Sequence, residues 1–162
     1  MEGLVEALVT FFGTTIPKEL TVFVISVMPV LELRGGLIAA RLLEMDVLKA
    51  FFFCFVGNML PIPFILLFIR KIFDWMRKWK HFGKIILKLE KKAEKHRKTI
   101  EKYGVWGLLI LVAVPLPGTG AWTGALVAAL MDLRMRRALP VITIGVFIAG
   151  LIVGGISFGL FG

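Results

Sequence analysis

The chain has 162 residues, 58% of them apolar and only 19% charged, with a mean hydropathy of +0.87. One water-soluble domain of this size cannot bury so much apolar surface, which excludes an ordinary soluble enzyme and makes lipid the solvent for most of the surface. The formal charge of +9 would suggest nucleic acid in a soluble chain, but the whole surplus lies between Arg70 and Lys102, where thirteen Lys or Arg face four acids. That 33-residue stretch between two apolar blocks is no independent fold interleaving cations with exposed aromatics, so nucleic acid is not the expected partner.

In chain order, Gly3 to Ile16 is apolar except for Glu6, and either crosses the bilayer or lies along it. Glu2 and Glu6, with no Lys or Arg beside them, do not make the basic start of a cleaved signal. Leu20 to Leu31 supplies about twelve apolar residues and Gly35 to Ala40 about six, with Glu32 and Arg34 between them. Neither piece reaches the roughly 20 residues that cross about 30 Å of hydrocarbon. Arg41 to Lys49 is a charge-balanced loop, and Ala50 to Ile69 is an uncharged span of twenty residues containing Asn58, Pro61 and Pro63.

Loops rich in Lys and Arg stay in the cytoplasm, which puts residues 70–102 inside. Ile72, Phe73, Trp75, Met76, Trp79, Phe82, Ile85, Ile86 and Leu89 recur there at roughly helical period, as in a helical arm at headgroup level with its lysines towards anionic lipid. Tyr103 to Met131 is uncharged but interrupted by Pro115, Pro117, Gly118 and Gly120, which break a helix. Its two arms would each reach about 16 to 18 Å, half the hydrocarbon depth, which predicts a re-entrant hairpin. Ala138 to Gly162 is the second long span, and its Gly150/Gly154 and Gly155/Gly159 pairs suit helix packing or a homodimer. Cys54 stands alone in an apolar run, and His81 and His96 have no carboxylate or thiol at metal-ligand spacing, so neither disulfide, metal nor cofactor is expected.

Charge bookkeeping orients these pieces. A straight helix from Tyr103 to Met131 would leave Arg134, Arg136 and Arg137 outside, whereas a hairpin returns them inside. Ala50 to Ile69 then runs from outside to inside, and the first broken segment enters and leaves from the outer face. A shift of 88 positions superposes Pro29 on Pro117, Gly36 on Gly124, Ala40 on Ala128, Leu42 on Leu130, Lys49 on Arg137, Ala50 on Ala138 and Gly57 on Gly145 without a gap. The expected architecture is therefore one all-α membrane domain: a first repeat at 17–69, a basic cytoplasmic helical arm at 70–102 and a second repeat at 103–162. Each repeat is a re-entrant hairpin followed by a transmembrane helix, and the two have opposite topology. Secondary transporters built from inverted repeats place their site near the midplane, at broken helices that line a cavity.

The tips carry the candidate chemistry. Pro29, Gly35 and Gly36 form the first, and Pro115, Pro117, Gly118, Gly120 and Gly124 the second. An ionisable group at mid-membrane costs about 2.5 to 3.5 kcal/mol on insertion scales, so Glu32 and Arg34 suggest a function. Glu32 can exchange a proton or hold a cation, and the Arg34 fork suits an anionic headgroup. The alternative is that the two neutralise one another at a shallow outer turn. Thr119, Trp122 and Thr123 could line an anion cradle or simply pack closely, and Asn58 faces the same choice.

PVLELRGGLIAA in the first half and PLPGTGAWTGALVAAL in the second closely resemble motifs of the small multidrug export family of prokaryotic membrane proteins, over nearly the whole chain. That family is in turn similar to the DedA/VTT superfamily, whose members have two re-entrant hairpins and are associated with lipid translocation. The resemblance implies a non-enzymatic transporter of the prokaryotic cytoplasmic membrane, multi-pass, working among membrane lipids on a small amphiphilic substrate. Glu32 and Arg34 fit the charged first-hairpin motif by type, whereas the arginine of the second DedA hairpin has no counterpart between Pro115 and Gly124. No GxxxxGK[ST] loop is present, so energy would come from a proton or sodium gradient. The expected function is thus a transporter or flippase with a midplane site between the tips. The alternative is a small cation or drug exporter of through-going helices that uses Glu32 as its exchangeable acid.

Overall fold

The computed structural model describes residues 2–13, 15–79, 83–116 and 118–159. Regular structure among them is entirely helical: α1 (Glu2–Gly13), α2 (Lys18–Val27), α3 (Glu32–Leu42), α4 (Val47–Met59), α5 (Ile62–Arg77), α6 (Gly83–Tyr103), α7 (Val105–Ala113), α8 (Ala121–Leu130) and α9 (Met135–Ser157). Two helical stretches are long and apolar enough to cross a membrane, Val47–Arg77 and Met135–Ser157. The first runs past Ile69 to Arg77, with Leu60 and Pro61 as a turn between α4 and α5. The 12 residues of α1 rise only about 18 Å, short of the hydrocarbon thickness. Contacts divide the chain into two compact units.

Unit 1 comprises Met1–Pro61 and Val146–Gly162. The helix α2 stops because Met28 precedes Pro29, and a residue before proline is pushed out of the α region into the extended geometry seen here (φ −69°, ψ 135°). Four residues later the chain resumes as α3 and folds back on α2. Glycine makes this possible: a Cβ on Gly36 would stand 1.9 Å from Ser26 Oγ and 2.8 Å from Cys54 Sγ, and one on Gly57 would stand 2.5 Å from the Phe23 carbonyl oxygen. Asp46 caps α4 by accepting the Leu48 and Lys49 amides, each at 3.1 Å. Gly150 and Gly154 of α9 lie against Phe51, Leu33 and Leu37, so this small-residue pair packs within the unit.

Unit 2, Ile62–Gly145, repeats the device. Here α7 ends as Val114, ahead of Pro115, turns extended (φ −79°, ψ 120°). The helix α8 folds back with Gly124 so close to α7 that a Cβ would meet Val112 Cγ2 at 2.5 Å. The basic helix α6 is packed into this unit, burying Ile86, Ala93 and Ile100 at seven-residue spacing.

Local backbone geometry recurs 88 residues apart. At the end of α3, Met45 N–H bonds to Ala40 O and Glu44 N–H to Arg41 O; at the end of α8, Leu133 bonds to Ala128 and Asp132 to Ala129. Both are Schellman caps, and both place an acidic residue at positive φ, Glu44 at 52° and Asp132 at 59°. Gly36 faces Cys54 and Gly124 faces Ile142, again 88 positions apart.

Candidate functional site

In unit 1 the buried polar residues lie on three helices, α2, α3 and α4. Glu32 is only 6% exposed, begins α3 at φ 52°, and bonds through its amide to Met28 O at 2.9 Å. A carboxylate in a first helical turn meets the positive end of the helix dipole. Arg34 is half-buried and feels the Glu32 charge. Asn58 on α4 is buried, Gly35 is pressed against the Leu31 side chain, and Pro29 is exposed. Ser26 and Cys54, to which sequence reasoning gave no site role, are buried beside Gly36.

The second break, in unit 2, spends its hydroxyls on itself. Thr119 Oγ1 donates towards the Val114 and Leu116 carbonyls, each at 2.8 Å, and accepts the Leu116 amide at 3.2 Å. Thr123 Oγ1 donates to Gly118 O at 3.1 Å. Trp122 is half-buried on α8, and Pro115 lies in the turn. Pro117 and His81 lie outside the described residues. Gly118 (φ 82°) and Gly120 (φ 132°) hold conformations that L side chains rarely adopt. Gly120→Val should therefore cost about 1 to 3 kcal/mol and lower the unfolding temperature in detergent; an unchanged temperature would mean the reversal tolerates a side chain. A Cβ on Gly118 would stand 3.9 Å from Lys92 Cε, so the basic helix brings a cation to a tip that has none of its own.

The basic helix also helps line a cavity of about 530 Å³ whose charged wall is Arg70, Asp74, Arg77, Glu90, Glu94 and Arg97, over an apolar floor from α8. Arg77 pairs with Glu90, Arg97 with Glu101 at 2.6 Å, and Arg70 with Asp132. A second Arg70 nitrogen donates to Leu130 O at 3.1 Å. Exposed pairs of this kind contribute about 0 to 1 kcal/mol each, so their importance lies in what they hold together. On the same helix, burial and the charges of Lys95 and Lys92 hold His96 below the ordinary histidine range. The unfolded chain then binds the proton more readily, so stability is full above the unfolded pKa, about 6.5, and falls as pH drops below it until the folded pKa is passed. His96→Gln should flatten that acid limb in a pH series of unfolding temperatures; an identical slope would assign the loss to other groups.

Among the described residues no group of three His, Cys, Asp or Glu is arranged to hold a metal. No curated protein and no solved structure gives a significant match to the chain. The profile of a family described as "Putative small multi-drug export protein" matches residues 32–152, from the first residue of α3 to within the last turns of α9.

Proposed function

The chain belongs to this family of small multi-drug export proteins, and on that premise we propose that it moves a small amphiphile, of the lipid-carrier type, across the prokaryotic cytoplasmic membrane at the expense of a proton or sodium gradient. The two folded-back helix pairs are re-entrant and enter the bilayer from opposite faces. The substrate and ion meet the first break at Glu32, Arg34 and Asn58, and the second break supplies shape through its glycines, with Thr119, Trp122 and Thr123 around the reversal.

One observation carries this reading. Arg70 pairs with Asp132 and with the Leu130 carbonyl, so the far end of α8 returns to the start of the basic segment from which α6 and α7 set out. With that segment inside, Arg134, Arg136 and Arg137 are inside as well, in keeping with the positive-inside rule. The through-going alternative needs residues 103–131 to continue in one direction, whereas Gly124 packs on Val112 and lies 3.4 Å from Leu108 Cδ1. The lysine beside Gly118 favours a tip reached by water over one sealed in lipid, since an ammonium in hydrocarbon is costly.

Proteoliposomes test the reading. A fluorescent polyprenyl-phosphate analogue and a cationic dye are offered separately, with a pH-sensitive dye in the lumen and imposed proton or sodium gradients. Gradient-dependent movement of the lipid analogue is expected; movement of neither compound under either gradient would refute transport.

A further inference from the structure

The polar groups around the first break do not match what its packing requires. Ser26, Glu32 and Asn58 are all buried, at 0%, 6% and 2% exposure. Among the described residues Asn58 Oδ1 has no hydrogen-bond partner, and Ser26 Oγ has none beyond its contact with the Cys54 sulfur, a weak partner at best. Buried acceptors are normally satisfied, because an unsatisfied one forfeits its hydration for nothing.

Helix register relates these groups to one close contact. Ser26 Oγ and Cys54 Sγ both meet the space above Gly36, at 1.9 and 2.8 Å from a Cβ placed there. Glu32 precedes Gly36 by one turn on α3, and Asn58 follows Cys54 by one turn on α4. The helices α3 and α4 are joined by the short link 43–46 and pack against one another. Glu32 and Asn58 therefore each lie within one helical turn, about 5 Å of rise, of the contact that Ser26, Gly36 and Cys54 make.

The second half of the chain shows that packing alone does not need them. At the 88-residue offset, Ser26, Glu32, Cys54 and Asn58 correspond to Val114, Gly120, Ile142 and Val146. There the same close approach of a folded-back pair, Gly124 on Val112, is achieved without a polar side chain at any of the four positions.

We propose that Ser26 Oγ, Asn58 Oδ1 and the Glu32 carboxylate hold a dehydrated sodium ion, the coupling ion of the transport reading on which this inference rests. The donor set is all hard oxygen with one negative charge, which matches a hard monovalent cation. A calcium site draws on more oxygens and carboxylates, and a soft metal would engage the Cys54 sulfur. A proton needs Glu32 alone and gives Ser26 no role. Sodium on Glu32 also competes with Arg34 for the carboxylate, so ion binding releases the guanidinium towards an anionic headgroup.

The test uses the full chain in detergent without substrate. Saturable binding of radioactive sodium is measured by scintillation proximity, and unfolding temperature is measured in sodium, potassium and choline chloride at equal ionic strength. Sodium should bind saturably and raise the unfolding temperature above the choline value. Asn58→Val and Ser26→Ala should each weaken sodium at least tenfold while leaving the choline value unchanged or higher, and Asn58→Asp should retain binding should the valine variant fail to fold. Equal temperatures in all three salts with no saturable binding, or wild-type affinity in both Asn58→Val and Ser26→Ala, would overturn the site. A proton-only carrier would export under a pH gradient with no sodium binding, refuting this site but not transport; sodium binding without export would do the reverse.

Discussion

Glu32→Gln should reduce export to the level of empty vesicles while the protein still inserts, folds and purifies in normal yield. The substitution keeps the shape of the side chain and removes only its charge and its capacity to exchange a cation. At 6% exposure, and inside a chain with two membrane-length helical stretches, that charge stands against an insertion cost of about 2.5 to 3.5 kcal/mol. Its loss should leave the unfolding temperature unchanged or higher. Arg34→Ala should be equally inactive on the proposed mechanism, since the Glu32 charge acts on Arg34. Wild-type rates in both variants, measured with the lipid analogue in proteoliposomes, would remove the pair from the mechanism and leave it as a neutralised turn.

The largest loss of stability should come from Gly57→Ala. Alanine is the better helix former by about 1 kcal/mol, so an unpacked position would gain. Here the new methyl would lie 2.5 Å from the Phe23 carbonyl oxygen and 3.2 Å from its Cα. Those atoms are backbone and cannot rotate aside, so α4 must withdraw from α2, at a cost of about 1 to 3 kcal/mol or more. Gly3→Ala, with nothing within 4 Å of the new atom, is the control. Unfolding temperatures in detergent should fall sharply for the first and hold for the second; equal values would mean that α2 and α4 do not meet through Gly57.

The two breaks were legible because they are local events. Met28 and Val114 each precede a proline, and steric exclusion from the α region acts on neighbours in sequence whatever surrounds them. The long apolar stretches were legible for a similar reason, since length and composition set their capacity to span. What depended on packing was not. Ile86, Ala93 and Ile100 carry a seven-residue spacing that could have marked α6 as packed, but the lysines between them read as a face towards anionic lipid. The reach of Lys92 to Gly118, and the use of the Thr119 and Thr123 hydroxyls by their own turn, follow from how the chain folds back. Ser26 shows the limit most clearly: as one serine in an apolar run it carries no signal until α3 and α4 close over it.

The central claim is that the two helix pairs enter the membrane from opposite faces, and Glu44 and Asp132 report it most directly because they occupy matching caps 88 residues apart. In a Cys54→Ala background, single cysteines at positions 44, 90 and 132 are exposed in intact cells to a membrane-impermeant maleimide. Labelling from outside at position 44, with positions 90 and 132 protected until the membrane is permeabilised, is the predicted result. Labelling of 44 and 132 from the same side, or of 90 and 132 from different sides, would contradict the account.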